Sequence, residues 1–400
     1  MANIIDYART ATDSFAERPL CRVDALCFAW LAYLRLPAEM GVTNRAGVRI
    51  CDLNDSRLLP AMLTGLHDIE NSRALFVAMA TSPRFANVRA CLYVTESSEP
   101  AGMQFSATTF VLPEGAGSCV CFRGTDDTLL GWKEDFLLIG SEAIPAQRRA
   151  ASYLDEVVDE LGGRFWVAGH SKGGALAAYA VRAASEDTCG QLEQCYTLDG
   201  PGLSPEVRDG TPYSVEVPLE KVVPHASLVG MLFERSQEEL VVVRSSEQGV
   251  MQHAPFSWEV NGNDFVRAWG LEYDAWRLMQ RLNDCLESMG LADRTAFARL
   301  LGWLVDATAE TSFSGLLSRW SSNRQAMQTA LSAAPQHDRD LFERTMDNLV
   351  ATVLLGSRQE YGLDRDGTPQ SHATYAARRV EDLSAKTNDR LSRIDRYTGR

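Results

Sequence analysis

Val23, Leu26, Cys27, Trp30, Leu31 and Leu34 recur every three or four residues, one apolar stripe along a helix, and Pro37 ends the pattern. Residues 71–80 predict a second helix, capped by Asn71 or Ser72. From residue 87 the period changes. Segments 88–95, 104–112 and 118–122 are short runs rich in β-branched or aromatic residues, bounded by Gly, Pro and Ser, and read as strands. Pro145 suits the first turn of a helix whose apolar face is Tyr153, Leu154, Val157, Val158 and Leu161, and Gly162-Gly163 stop it. Segments 164–168, 195–198 and 240–243 are further strands. Strands alternating with helices predict an α/β fold with a largely parallel sheet covered on both faces. After about residue 264 the spacing of Leu278, Leu282, Leu286 and Met289 is helical, and similar patterns run to about 355.

Four regions follow. Residues 1–85 form a helical segment packed on the core, 86–264 the α/β core, 265–356 a helical cap or appendage, and 357–400 a charged, partly disordered tail. The tail is poor in aliphatics and, unlike the rest of the chain, carries slightly more basic than acidic residues.

Composition narrows the function classes. Acidic residues outnumber basic ones 53 to 39, for a formal charge of −14, so a phosphate backbone would be repelled and nucleic acid is not an expected partner. No apolar run approaches the ~18 residues of a membrane span, and the start, Met-Ala-Asn-Ile-Ile-Asp, lacks the basic and apolar regions of a leader. Nine cysteines, an odd number scattered through apolar segments, fit a reducing cytoplasm better than a disulfide framework. Cys119 and Cys121 would share one face of a strand, a spacing open to a metal, but without a second pair they read as buried thiols. Asp364-x-Asp366-Gly367 places its glycine too early for a calcium loop. There is no phosphate-binding or dinucleotide-binding glycine pattern, so neither a cofactor nor a metal is expected. The apolar stretches 228–233 and 301–317 would line an acyl pocket or simply fill the core.

The most informative stretch is Phe165-Trp-Val-Ala-Gly169-His170-Ser171-Lys172-Gly173-Gly174-Ala-Leu-Ala-Ala. It places G-x-S-x-G where a predicted strand gives way to a predicted helix. In that position a serine sits on a tight turn with its hydroxyl clear of the backbone, and the helix N-terminus offers N–H groups to a developing oxyanion. The alternative is a small-residue turn around a buried serine.

Val120-Cys-Phe122-Arg123-Gly124-Thr125, followed by Trp132 and Asp135, adds a second block. Together the two blocks resemble the class 3 (fungal-type) lipases of the α/β-hydrolase superfamily, which carry Phe-Arg-Gly-Ser/Thr, a Trp and an Asp, then Gly-His-Ser-Leu-Gly-Gly-Ala. The chain departs from them in Lys172 for Leu, in the acidic pair Asp126-Asp127, and in a slightly longer segment from Phe122 to Trp132. It is more similar still to a bacterial group of lipase-like proteins called Mbeg-like. That similarity runs from Asn3-Ile-Ile-Asp-Tyr through Gly124-Thr-Asp-Asp-Thr-Leu-x-Gly-Trp-Lys-Glu-Asp and Gly169-His-Ser-Lys-Gly-Gly to Gln252-His253-x-Pro-Phe-x-Trp258. The resemblance implies an α/β-hydrolase fold and hydrolysis of a small-molecule or lipid ester. It also implies that the N–H groups of Thr125 and Lys172, with the Thr125 hydroxyl, form the oxyanion hole.

A serine nucleophile needs a base and a carboxylate, and in this superfamily they follow it in the order acid, then histidine. His67 precedes the serine, and His170 should point into the sheet–helix packing. His337 and His372 fall in the appendage and tail. His253, in a loop after the 240–243 strand, is favoured over His225; its alternative role is a loop histidine against Trp258. Asp199 ends a strand one helix beyond the serine. Class 3 lipases place their acid one strand later, but 223–228 holds no carboxylate here, which moves the role to Asp199. Its alternative role is to cap the Gly200-Pro-Gly turn.

Lys172 puts a positive charge at a positive helix end, so it should have a counter-charge: Asp126, Asp127 or Asp135, or an anionic substrate. The sequence thus describes an ester hydrolase with Ser171, His253 and Asp199. The same triad would serve a thioesterase or peptidase, and a non-catalytic protein of the same fold, binding a lipid or a protein partner, is the competing class. Oligomeric state leaves no mark in the sequence.

Overall fold

A computed structural model of the protein describes residues 1–355 apart from 101, 141 and 236–238. The chain forms two compact units, Met1–Thr345 and Met346–Arg400, and only the last turns of one helix are described in the second. The expected tail, with Asp364, Asp366 and His372, lies outside the described residues.

The first unit is built on an eight-stranded sheet: β1 (Val48–Arg49), β2 (Arg89–Ser98), β3 (Met103–Val111), β4 (Ser118–Phe122), β5 (Phe165–His170), β6 (Leu192–Leu198), β7 (Leu219–Pro224) and β8 (Leu240–Val243). The strands lie side by side in chain order. The expectation of a largely parallel sheet holds from β4 to β8, where every pair is parallel, whereas β1 to β4 form an antiparallel meander. The β2–β3 and β3–β4 connections contain no α-helix to carry the chain back across the sheet, so those strands must reverse, whereas the long β1–β2 connection does hold helices and that pair is antiparallel as well.

The helices are α1 (Ile4–Thr10), α2 (Arg22–Leu31), α3 (Leu59–Met62), α4 (Ile69–Thr81), α5 (Leu129–Leu137), α6 (Pro145–Leu161), α7 (Lys172–Ala183), α8 (Glu186–Cys189), α9 (Pro205–Gly210), α10 (Tyr273–Ser288), α11 (Leu291–Asp306), α12 (Phe313–Ser318), α13 (Trp320–Ala333) and α14 (Gln336–Leu355). Among the described residues none is long and apolar enough to cross a membrane.

Strand alternation sorts the core into two layers. Cys119, Cys121, Trp166, Ala168, Tyr196 and Leu198 face α1, α2 and α4, while Val120, Phe122, Phe165 and Val167 face α6 and α7. β5 is buried along its whole length, as a central strand covered on both faces must be. α2 departs from the one-stripe expectation: every residue from Val23 to Leu31 is buried, including Asp24, and the helix ends well before Pro37. The Asp24 charge is met inside by Arg84 and the Tyr7 hydroxyl. α4 starts at Ile69 and is capped by Asp68, not by Asn71 or Ser72. Asp68 Oδ1 accepts the Asn71 N–H at 3.0 Å, because the cap must lie outside the helix to turn its carboxylate onto the first free N–H groups. α6 runs from Pro145 to Leu161 and stops at Gly162, whose φ is +62°.

The N-terminus closes over late parts of the chain. Asn3 Nδ2 donates to the Phe256 carbonyl (3.0 Å) and Val260 N–H to the Ala2 carbonyl (2.9 Å). The Arg22 guanidinium pairs with Glu220 and Asp264. Cys119 and Cys121 lie side by side with Sγ atoms 3.5 Å apart, both enclosed, and burial pushes the Cys121 thiol well above its ordinary range. Among the described residues no cluster of three metal-ligating side chains occurs.

Candidate active site

The turn between β5 and α7 is as tight as the sequence requires. A Cβ on Gly169 would lie 2.0 Å from the Gly173 carbonyl oxygen, and one on Gly173 would lie 2.2 Å from that of Phe122, so neither position admits a side chain. Ser171 sits between them with φ +59° and ψ −131°, a conformation that is strained for any residue but glycine. Its N–H is tied to the Leu198 carbonyl (3.1 Å), which seats the turn against the end of β6.

Asp199 follows β6 directly and is almost wholly buried. Its N–H bonds the Val222 carbonyl of β7 (2.8 Å). Its two oxygens are shared out. Oδ1 accepts from the Ser227 hydroxyl and from Gly230 N–H (3.1 Å), and Oδ2 faces His253 Nδ1 at 2.6 Å. Burial works against the charge, but the His253 bond, the charge of His253 and the Ser227 hydroxyl outweigh it and hold the carboxyl below its ordinary value. The loop carrying Ser227 and Gly230 is held by buried Asn283 of α10. Asn283 accepts the Phe233 N–H (2.9 Å) and donates to the Met231 carbonyl (3.0 Å).

His253 ends a one-turn 3₁₀ helix, Gly249–His253, with its side chain 26 % exposed. The Gln252 carbonyl accepts from the Trp258 indole (2.8 Å), so Trp258 grips the backbone beside His253 rather than its ring. His225 is elsewhere engaged: its Nε2 accepts from the Gln252 amide (3.1 Å), and Asp199 does not touch it. His67 lies beside Asp127 and His337 beside Asp338. His170 points into the helical layer as expected, against Trp30 and Tyr33 of the α2 region.

The structure therefore brings Asp199 and His253 together at the sheet edge where Ser171 turns. No hydrogen bond joins Ser171 Oγ to His253. Such bonds are commonly open until substrate is bound.

On the other side of the turn, the Thr125 hydroxyl donates to Asp135 Oδ2 (2.6 Å), so the hydroxyl expected at an oxyanion is already committed. Lys172 opens α7, where an N–H has no intrahelical partner. The expected aspartate partner of Lys172 is present in Asp135, but a closer counter-charge, Glu134, stands outside the expected set. Nζ meets Glu134 Oε2 at 3.0 Å, both side chains buried, with Asp135 Oδ1 at 4.0 Å. Asp126 instead accepts from Gln104 and Thr128, and Asp127 faces His67. Glu134 and Asp135 are consecutive on α5, and only one of two such neighbours can face inward fully. Nothing in the sequence says which. Ser227, Gly230 and Asn283 went unread because their marks are a hydroxyl, a glycine and an amide in segments searched for carboxylates and apolar runs.

Asp135 keeps an exposed edge, but its Oδ1 is enclosed and accepts no hydrogen bond. Burial raises its carboxyl to about 6, against the pull of Lys172 and the Thr125 hydroxyl. The fold thus favours the protonated acid. That contribution is complete below the ordinary value of 3.8 and is lost as pH rises through about 6. Asp135→Asn should accordingly match the wild-type melting temperature near the low end of this window and exceed it above. Melting curves of both proteins across the window test this, and a wild type that gains on the variant with rising pH would contradict it.

A strained serine at a strand–helix turn and a buried carboxylate–histidine pair thus sit on a mostly parallel sheet flanked by helices, the architecture of an α/β protein. The chain matches the model of the Mbeg1-like family over residues 79–301, more than half its length, and belongs to that family. Among solved structures it is similar to a Rhizomucor miehei lipase propeptide complex, at 12 % identity and a TM-score of 0.32, over 60 % of this chain and 80 % of that one. No curated protein sequence matches it.

Proposed function

We propose that the protein is a serine hydrolase of lipase or esterase type, with an α/β-hydrolase core, that cleaves carboxylic esters through an acyl-enzyme. The observation that carries this reading is the 2.6 Å contact of His253 Nδ1 with buried Asp199, beside a serine held at φ +59°.

The chemistry follows from the geometry. With Nδ1–H given to the carboxylate, the lone pair of His253 lies on Nε2, the nitrogen that takes the Ser171 proton as Oγ attacks the ester carbonyl. The oxyanion is met by the N–H groups of Thr125 and Lys172, the second at the positive end of α7. Nε2–H then protonates the departing alcohol. Water repeats the sequence on the acyl-enzyme and frees the acid. Asp199 stays ionised throughout, because its second oxygen is already satisfied by Ser227 and Gly230.

Labelling of Ser171 by a fluorophosphonate probe tests the reading, followed by a chromogenic ester series of increasing acyl length. His225→Ala should keep turnover within about threefold, since His225 touches neither Asp199 nor Ser171. A serine inert to the probe in folded protein would leave the fold as a binding scaffold.

A further inference from the structure

Resting on this reading, we propose that His170 is a positioning residue for His253: it clamps the backbone of the base from inside the nucleophile turn and is itself set by Tyr33 and the strand-to-helix strap at Gly124.

His170 Nε2 lies 2.9 Å from the His253 carbonyl oxygen. A carbonyl only accepts, so Nε2 carries the proton. Burial, with the nearby charge of His253, drives the His170 ring down to about 3, so it is neutral and Nδ1 is bare. Tyr33 Oη, 3.1 Å away, is then the donor to Nδ1, its one proton shared with the His170 carbonyl oxygen at 3.3 Å. The Gly124 backbone packs directly against the Tyr33 oxygen. The path therefore runs one way, from the Tyr33 hydroxyl through His170 to the carbonyl of His253.

Two features mark this as more than filling. The rings of His170 and His253 stack with centroids 4.6 Å apart and planes 29° apart, so the clamp also fixes the plane in which Nδ1 meets Asp199. The end of a 3₁₀ turn leaves carbonyls without partners, and both at this turn are captured: that of Gln252 by the Trp258 indole and that of His253 by His170. Gly124 is constrained to match. A Cβ there would lie 1.9 Å from Tyr33 Oη and 2.7 Å from the His170 carbonyl oxygen, so the strap that presents Thr125 can approach the relay only as glycine.

The test compares His170→Phe, which keeps a stacking ring but no donor, with His170→Gln, whose amide reaches the same position. Two readouts are used. One is the downfield proton resonance of the His253 Nδ1–H bound to Asp199, which needs no catalysis. The other is kcat and KM on a short-chain chromogenic ester. Phenylalanine should abolish or broaden the resonance and lower kcat by roughly 10- to 100-fold with KM nearly constant, as expected when a reacting group is displaced by a fraction of an ångström to an ångström. Glutamine should restore both. If His170→Phe does not fold, His170→Asn against His170→Gln makes the same comparison, because only the longer amide reaches the carbonyl. An unchanged resonance and kcat in the phenylalanine variant, or equal behaviour of asparagine and glutamine, overturns the proposal. A resonance that depends on residue 170 in a protein whose Ser171 is inert would support the clamp while removing the hydrolase reading.

Discussion

Ser171→Ala should lower ester turnover by ~10⁴- to 10⁶-fold, the range for losing the nucleophile of a triad, with little change in melting temperature. The asymmetry is set by the geometry. Among the described residues Ser171 Oγ makes no hydrogen bond, so deleting it breaks none. The strain at φ +59° is a property of the backbone and persists in alanine. Steady-state kinetics beside calorimetry separate the two quantities. Undiminished turnover by the alanine variant would remove Ser171 from the chemistry. Reduced turnover with a large fall in melting temperature would assign it to the fold.

Lys172→Leu should cost about 3–5 kcal/mol of folding free energy, the usual result of removing one member of a buried ion pair. Leucine fills the space but leaves Glu134 enclosed with, among the described residues, the N–H groups of Gln104 (3.1 Å) and Ala146 (3.3 Å) as its hydrogen-bond partners. Adding Glu134→Gln removes the orphaned charge and should recover much of the loss. Turnover per folded molecule on a neutral ester should hardly change, because in the proposed mechanism the oxyanion donor at this position is the backbone N–H. Urea unfolding of the two single variants and the double variant decides the matter. A single variant no less stable than the double would show that the pair does not couple. The alternative that the ammonium meets an anionic substrate requires it to reach the site, and with 2 % exposure it is committed to Glu134.

What could be read in advance follows how local each signal is. β4, β8 and α6 were legible nearly to the residue, because a short apolar run, a proline in the first turn and a glycine at the stop are local statements. β7 was not. Its sequence Leu-Glu-Lys-Val-Val-Pro carries a buried Lys221, satisfied by Glu234 at 3.2 Å, and ends in proline, so it presents as a loop. The antiparallel start was not legible because side-chain alternation is the same in both strand directions, and only at β2–β3 and β3–β4 does the brevity of the connection encode the reversal. The strain at Ser171 was legible because its cause, the flanking glycines, lies within two residues. The meeting of Asp199 with His253 needed chain order and elimination. Tyr33 could not be found at all, since it is 137 residues from His170 and looks like an ordinary helical aromatic.

The strand order has a consequence for how the molecule comes into being. Because every strand pairs with its neighbour in the chain, the sheet can grow at one edge as the polypeptide emerges, with no strand required to insert between two already joined. The N-terminal layer cannot be completed in that order. Ala2 and Asn3 wait for Val260 and Phe256, and Arg22 waits for Glu220 and Asp264. The segment made first is therefore the last to be fastened, and until residue 264 is available the apolar faces of α1 and α2 lack their final cover. The same segment carries Tyr33, so the oldest part of the nascent chain would set the histidine clamp only after the youngest strand is in place.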